Sequence, residues 1–536
     1  MLRSQLEKGA LPGSSRTIFL HFRAWPPRGP VGHPAATGLF WGPVGTRQKF
    51  SSDLNSTRAP RTKRRRDLNV RTPRGTPPVA GSPPGQLGPE GGELMLKGVG
   101  WADDYKYAHL IHIGPFLTTC AVYHPDYVRA VMARSDKKDE FAYGFLRPWL
   151  GDGLLTTAGP KWFRNRRLLT PGFHFEILKP YVRLFSESTN VMLSNWEDLT
   201  AGSSIDVFHH MGLMTLDSML KCALSQHTDC QTRKTNDYIA AVYDLADLTM
   251  KRGRTISHRI DLIYAMSSDG RKYRKACKLV HEYAERIIAE RKEALMQRDG
   301  EERANRKKYL DFLDILLEAK DEDGNGLTDA EIRDEVDTFM FEGHDTTASG
   351  LSWTLHCLAR HPGHQEKCRK EAQEVLKGRT EVTWDLLPSL KYITMSVKEA
   401  LRLFPPVPMI FRQLESPLTF PDGRIIAKGA SVNISTHTLH HNSHVWENHT
   451  EYDPLRFSPE NSKDRHPYAF IPFAAGPRNC IGQHFAMNEL KTAVALILRR
   501  FSLTPDDTLP EPIPVPKLIL RAKKPGLFLK IKPLSA

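Results

Sequence analysis

Apolar positions recur at helical spacing over residues 176–198, 270–297, 327–360, 363–377 and 390–403, and each stretch is predicted to be a helix. Short β-branched or alternating stretches, such as Ser431–Ser435 and Leu518–Arg521, predict strands. Helices outnumber strands and no repeat is visible, so the pattern predicts a mainly α fold with a small β-sheet region, built as a single large domain. Thr328 with Glu331 forms a capping box near the start of the third helix. Beyond Cys480, the positions of Phe485, Leu490, Val494 and Ile497 mark one more helix.

The patterning fails towards the N-terminus. Residues 1–94 lack sustained periodicity and are rich in Gly, Pro, Ser and Arg, which predicts a largely disordered basic segment ahead of a folded body at 95–536. Runs such as Ile18-Phe19-Leu20 fall far short of the roughly 20 apolar residues that span a bilayer, and no signal-peptide core is visible. Residues 1–57 bear Arg and few acids, which permits a mitochondrial presequence, although no clean amphipathic helix emerges. The run Lys63-Arg64-Arg65-Arg66 reads as solvated charge able to meet anionic lipid or nucleic acid, and Pro73 to Gly92 reads as a linker.

Composition narrows the picture. In 536 residues, 40% are hydrophobic and 25% charged, enough for a sizeable core and too much for a wholly disordered chain. The net charge is +14, but residues 1–100 hold 16 Lys and Arg against five acids, so the body is nearly neutral and offers no nucleic-acid surface. Seven cysteines are too sparse for a disulfide scaffold and suit a reducing compartment with one special Cys. Phosphate-loop, nucleophile-elbow and His-Glu-x-x-His motifs are absent. Asp321–Gly326 opens like a calcium loop, but Ile332 stands where a bidentate Glu is required, so an acidic turn is expected. His437, His440, His441 and His444 lack Cys support in a polar loop and are expected to be solvated or to pack.

The most informative stretch runs from Phe473 to Met487. Gly476, Pro477 and Gly482 shape a tight loop in which small residues leave room for a bulky planar partner. Cys480 lies just before a helix, where backbone N–H groups favour thiolate, making it a metal ligand or a nucleophile. A nucleophile would want a base, and His484 is near; Arg478 and the glycines fit a large anionic cofactor better.

The complete Phe-x-x-Gly-x-Arg-x-Cys-x-Gly pattern from Phe473 to Gly482 resembles the cytochrome P450 family. The resemblance implies that Cys480 is the axial ligand of haem iron. Glu399-Ala-Leu-Arg402 and then Pro454-Leu-Arg456-Phe457 follow the family's order, implying a buried structural network of Glu399, Arg402 and Arg456. Glu342-Gly-His-Asp345-Thr346-Thr347 resembles the helix segment over the distal haem face, where Asp345 and Thr346 pass protons towards the oxygen being activated. Glu342 resembles the family 4 signature, in which this carboxylate esterifies a haem methyl. Trp162, Arg166, Arg412 and Arg478 resemble the partners of the haem propionates; Lys161, Arg164 and Arg167 are either reductase-facing or ordinary surface charges.

The resemblance, from about Trp101 to the C-terminus, implies a haem-thiolate monooxygenase hydroxylating fatty acids or related lipophilic compounds at the ω end. Its electrons would come from NADPH–cytochrome P450 reductase, with cytochrome b5 as a further partner. It also implies a seat on the membrane surface, at the cytosolic face of the endoplasmic reticulum. Two other classes stand beside it: a haem-binding protein without turnover, and a hydrolase using Cys480 without haem.

Overall fold

The computed structural model describes residues 91–113, 117–226, 229–232, 237–297 and 311–534. The expectations for residues 1–90, namely the basic segment, the presequence, the Lys63–Arg66 run and most of the linker, lie outside the described residues.

Among the described residues, ten longer helices carry the fold. They begin with α1 (Gly91–Asp104), α2 (Gly159–Leu169), α3 (Phe175–Glu197), α4 (Val207–Leu224) and α5 (Asp237–Arg254). They continue with α6 (Ser268–Met296), α7 (Asp329–Arg360), α8 (Pro362–Leu376), α9 (Lys391–Leu403) and α10 (Gln483–Arg500). The helices expected at 176–198, 270–297, 327–360, 363–377 and 390–403 appear as α3 and α6 to α9. At the start of α7, the Thr328 N–H donates to Glu331 Oε2 at 3.0 Å and the Glu331 N–H to Thr328 Oγ1 at 3.3 Å. This reciprocal pair satisfies two amides that the helix leaves open.

Among the described residues, two of the four sheets have more than two strands, built from β1 (Ala108–Ile113), β2 (Leu117–Val122), β3 (Ser204–Asp206), β4 (Met409–Gln413), β5 (Ser431–Ser435), β6 (Phe501–Pro505) and β7 (Phe528–Pro533). The larger sheet has the order β1-β2-β5-β4, with β2 parallel to β5 and the other pairs antiparallel. The smaller one has the order β3-β7-β6. The strand expected at Leu518–Arg521 forms two residues later, at Leu520–Ala522, because Leu518 and Ile519 line a cavity instead of pairing.

The core follows α7, which is buried along almost its whole length. Leu351 and Leu355 pack there with Val397 and Leu401 of α9 and Leu490 and Val494 of α10. Trp353 stacks on Phe404 with centroids 4.4 Å apart. The histidine cluster packs or is solvated as expected, but its placement in a polar loop is corrected. His437 and His440 belong to a short helix, Thr436–His440, that follows β5, and with His441 they are buried, whereas His444 is exposed. His440 Nε2 accepts the Ile471 N–H at 2.9 Å, and burial pushes His440 down to about 3 and His437 to about 4, which keeps both neutral. The acidic turn is as expected: Asp321 Oδ1 accepts the N–H groups of Asp323 and Asn325.

Candidate functional site

The Cys480 loop is closed by its own backbone. The Cys480 N–H donates to Phe473 O at 2.9 Å and the Asn479 N–H to Gly476 O at 3.1 Å. Gly476 has φ +71°, and a Cβ there would stand 1.9 Å from Met132 O, so both conformation and space require glycine. The sulfur lines a cavity of about 580 Å³ and its exposed surface opens into it. Burial, and next the Glu342 carboxylate, push the thiol up to about 12 against the Gly482 N–H and the charges of Arg166 and Lys138. Such a thiol is neutral at pH 7 and would become thiolate with a metal cation on the sulfur. His484 is exposed and does not line the cavity, so the hydrolase reading loses its base.

Beside the loop lies a group of buried cations. Arg478 Nη2 donates to Thr157 O at 2.9 Å and its guanidinium lies 4.6 Å over Trp162, but its Nε and Nη1 are buried without partners. Arg412 is 1% exposed and its Nε is likewise unpartnered. Lys138, across a β-bridge from Arg412, reaches Tyr143 Oη at 3.5 Å. Burial and the two arginines drive Lys138 well below the usual lysine value, and burial, then Arg412, lower Arg478 to about 10. These donors outnumber the one carboxylate that shares the cavity wall, Glu342, and so suit a dianion; haem propionates fit. Arg166 is placed differently: its Nη1 and Nη2 donate to Asn479 O and Oδ1 at 3.0 and 2.8 Å, clamping the Cys480 loop from α2. Lys138 escaped sequence reasoning because only tertiary pairing brings it to Arg412.

Helix α7 covers the cavity with Glu342, Gly343, Thr346, Thr347 and Gly350, one face at helical spacing. A Cβ on Gly343 would come within 2.5 Å of Met219 Sδ, so glycine lets α4 pack closely there. Burial raises the Glu342 carboxyl to about 7, opposed by Lys138 and Arg166. Hydroxyls brace the segment: Thr346 Oγ1 donates to Glu342 O at 2.7 Å, Thr347 Oγ1 to Gly343 O at 2.9 Å and Thr215 Oγ1 to His344 O at 3.0 Å. Asp345 does not line the cavity; it is buried against Arg521, whose guanidinium stacks on Tyr243 at 4.5 Å and Phe208 at 4.9 Å.

Glu399, Arg402 and Arg456 come together. Arg402 Nε and Nη2 donate to the two Glu399 oxygens at 2.8 and 2.7 Å, and Arg456 Nε stands 3.2 Å from Glu399 Oε1. Arg402 also holds the carbonyls of His440, His449 and Glu451. Of the other cations on α2, Lys161 lies 3.7 Å from Glu331, Arg164 donates to Asp321 at 2.8 Å and Arg167 pairs with Glu322.

Comparison with known proteins agrees with this geometry. The family described as "Cytochrome P450" matches residues 106–529. The mouse protein named "Leukotriene-B4 omega-hydroxylase 3" is 51% identical over 442 residues, 81% of this chain and 84% of its own. The human "Ultra-long-chain fatty acid omega-hydroxylase" is 49% identical over 441 residues, 81% of this chain and 82% of its own. Human "Cytochrome P450 4F2" is 50% identical over 441 residues, 80% of this chain and 84% of its own. With a family match over residues 106–529 and relatives about half identical over most of both chains, the chain belongs to the cytochrome P450 family and its cofactor is haem.

Proposed function

We propose that this protein is a monooxygenase that inserts one oxygen atom from O2 into the terminal C–H bond of fatty acids or related lipophilic chains. The observation that carries the reading is Cys480 facing Glu342 and Thr346 of α7 across one cavity walled by Phe141, Phe145, Phe312, Phe339, Phe341 and Ile519. Haem, when bound, supplies the activation of dioxygen and the oxidation of the C–H bond. Cys480 would bind its iron, while Lys138 and Arg478, backed by Trp162, and Arg412 behind them would hold its propionates. Arg166 fixes the Cys480 loop, and the Glu399–Arg402–Arg456 network holds the fold in the folded domain, residues 95–536.

Thr346 gives its hydroxyl proton to a helix carbonyl, which leaves its lone pairs to the cavity. It can therefore accept a hydrogen bond there and pass a proton on. Asp345 reaches the cavity only by leaving Arg521, so proton delivery to Thr346 goes with opening of that pair. Glu342 is the carboxylate for ester attachment of haem, since nothing else among the described residues hydrogen-bonds it. The apolar walls exclude water and receive an alkyl chain.

Electrons come from NADPH through a reductase, with cytochrome b5 as a second donor, at the cytosolic face of the endoplasmic reticulum. A membrane seat is supported by Ile256, Ile260, Leu262, Ile263 and Met266, all exposed in the segment between α5 and α6, next to Lys251 and Arg254. An apolar patch beside basic residues suits an anionic bilayer surface. Among the described residues no helix is long and apolar enough to cross a membrane.

The test is the purified full chain with reductase, NADPH and a long-chain fatty acid. The expected result is a strongly red-shifted Soret band of the reduced protein under carbon monoxide, together with ω-hydroxy acid. NADPH consumption without product, or a blue-shifted band, overturns the reading in favour of a haem protein without turnover.

A further inference from the structure

The cavity lining is charged in one sense: Lys138, Arg166, Arg254, Arg259, Arg478 and Lys517 stand against the single carboxylate of Glu342. Lys138, Arg166 and Arg478 act on Cys480 or its loop and are accounted for by the haem propionates and Asn479. The other three belong to a separate place. Arg254 ends α5, Arg259 follows in the next turn, and Lys517 lies beyond Pro516, whose carbonyl accepts Arg254 Nη2 at 3.4 Å. This part of the cavity is its mouth, because the neighbouring Ile256 and Ile260 are 56% and 57% exposed whereas Cys480 lies deep in the protein.

The carboxylates around the mouth are already taken. Asp247 binds Lys517 at 2.7 and 2.9 Å, Asp261 pairs with Arg252, Asp269 with Lys251 and Asp244 with Lys272. Arg259 has none: its Nε and Nη2 both donate to Gly253 O, at 3.1 and 2.5 Å, and its guanidinium lies 3.9 Å over the Phe141 ring. Burial lowers its pKa and no anion offsets the effect. A half-buried guanidinium held flat on an aromatic wall, with Nη1 left over, is preorganised for an incoming carboxylate.

We propose that Arg259, with Arg254 five residues before it, binds the carboxylate of the substrate at the cavity mouth. The inference rests on the fatty-acid reading above and gives it a direction. With the head group held at the mouth, the alkyl tail runs inward along the phenylalanine walls and its methyl end meets the Cys480 side. Terminal oxidation then follows from where the acid is held, and the ligand class is a carboxylate with a long apolar tail rather than a neutral lipid.

The test uses the full-length holoenzyme and the shift of its Soret band on titration with lauric acid and, separately, methyl laurate. Arg259→Gln is expected to weaken lauric acid by about tenfold or more, the usual worth of a charge-assisted hydrogen bond, and to leave methyl laurate within about twofold. Arg259→Lys should restore most of the acid's affinity. Equal weakening of acid and ester would make Arg259 a support for Phe141 only, and no weakening of either would place the anchor elsewhere; both results overturn the proposal. A wild-type protein that shifts with neither ligand would overturn the fatty-acid reading itself, and the anchor with it.

Discussion

Glu399 and Glu342 are both interior carboxylates, yet the structure serves them in opposite ways. Glu399 is fully buried and every contact is complementary: the Arg402 fork, Arg456 and the Asp453 N–H at 3.0 Å. Glu342 has two cations in its field, Lys138 and Arg166, but among the described residues no donor, and burial raises it to about 7. A buried charge whose lone pairs are all used can only hold the fold together. One that faces a cavity without donors is left for whatever enters it.

The sharpest way to break this contrast is to truncate each acid. Glu399→Ala leaves Arg402 buried with no counter-charge, and the expected loss is about 3–5 kcal/mol of stability by urea unfolding. A loss under about 1 kcal/mol would mean that the carbonyls of His440, His449 and Glu451 suffice for Arg402. Glu342→Ala removes an acid without donors, so stability should move by less than about 1 kcal/mol. What disappears is the attachment: after turnover, haem should extract into acidic organic solvent from the variant and stay with wild-type protein. Pigment retained by the variant would assign the ester to another residue.

The two acids are alike in how legible they are. Both came from short motifs read in order, because Glu399-x-x-Arg402 and Glu342-x-x-Asp345 are local patterns. What lay outside local pattern was missed. Helix α4 is buried on nearly every face, so it has no polar stripe to betray its period, whereas α5, with Tyr238, Val242, Leu245 and Leu248 inward, was readable and overlooked. Lys138 belongs to the cation group only through its bridge to Arg412, more than 250 residues away in sequence. Asp345 and Thr346, adjacent in sequence, part company because 100° of helix rotation sends one to Arg521 and the other to the cavity. Chemistry that sits on one loop is legible; chemistry assembled across the fold is not.

A third acid extends the contrast into the core. Glu489 of α10 is fully buried, its carboxylate oxygens lack partners, and burial raises it to about 8, eased only by the nearby Ser218 hydroxyl. Its folded value lies above the unfolded one, so the folded chain binds the extra proton between about pH 4.5 and about pH 8. Stability must therefore fall as pH rises through that window. Against Glu489→Gln, which does not titrate, the wild-type protein should lose on the order of 4 kcal/mol between these limits. Other interior acids, such as Glu335, are common to both chains and cancel in the difference. Parallel pH profiles for the two proteins would mean that Glu489 is ionised in place and has a partner.

The smallest effect belongs to the acid nearest water. Glu331 accepts the Thr328 N–H at 3.0 Å and lies 3.4 Å from Arg164 and 3.7 Å from Lys161. Thr328→Ala removes the hydroxyl that accepts the Glu331 N–H but leaves the carboxylate with both cations, so the expected loss is about 1 kcal/mol. Burial along the rest of α7 holds the helix regardless, and the loss should appear as an unfolding midpoint shift with no change in the carbon monoxide spectrum. Thr328→Ser should restore the cap. A spectral change in Thr328→Ala would show that fraying at this end reaches Glu342, about four turns along the same helix, and would join the two ends that the contrast keeps apart.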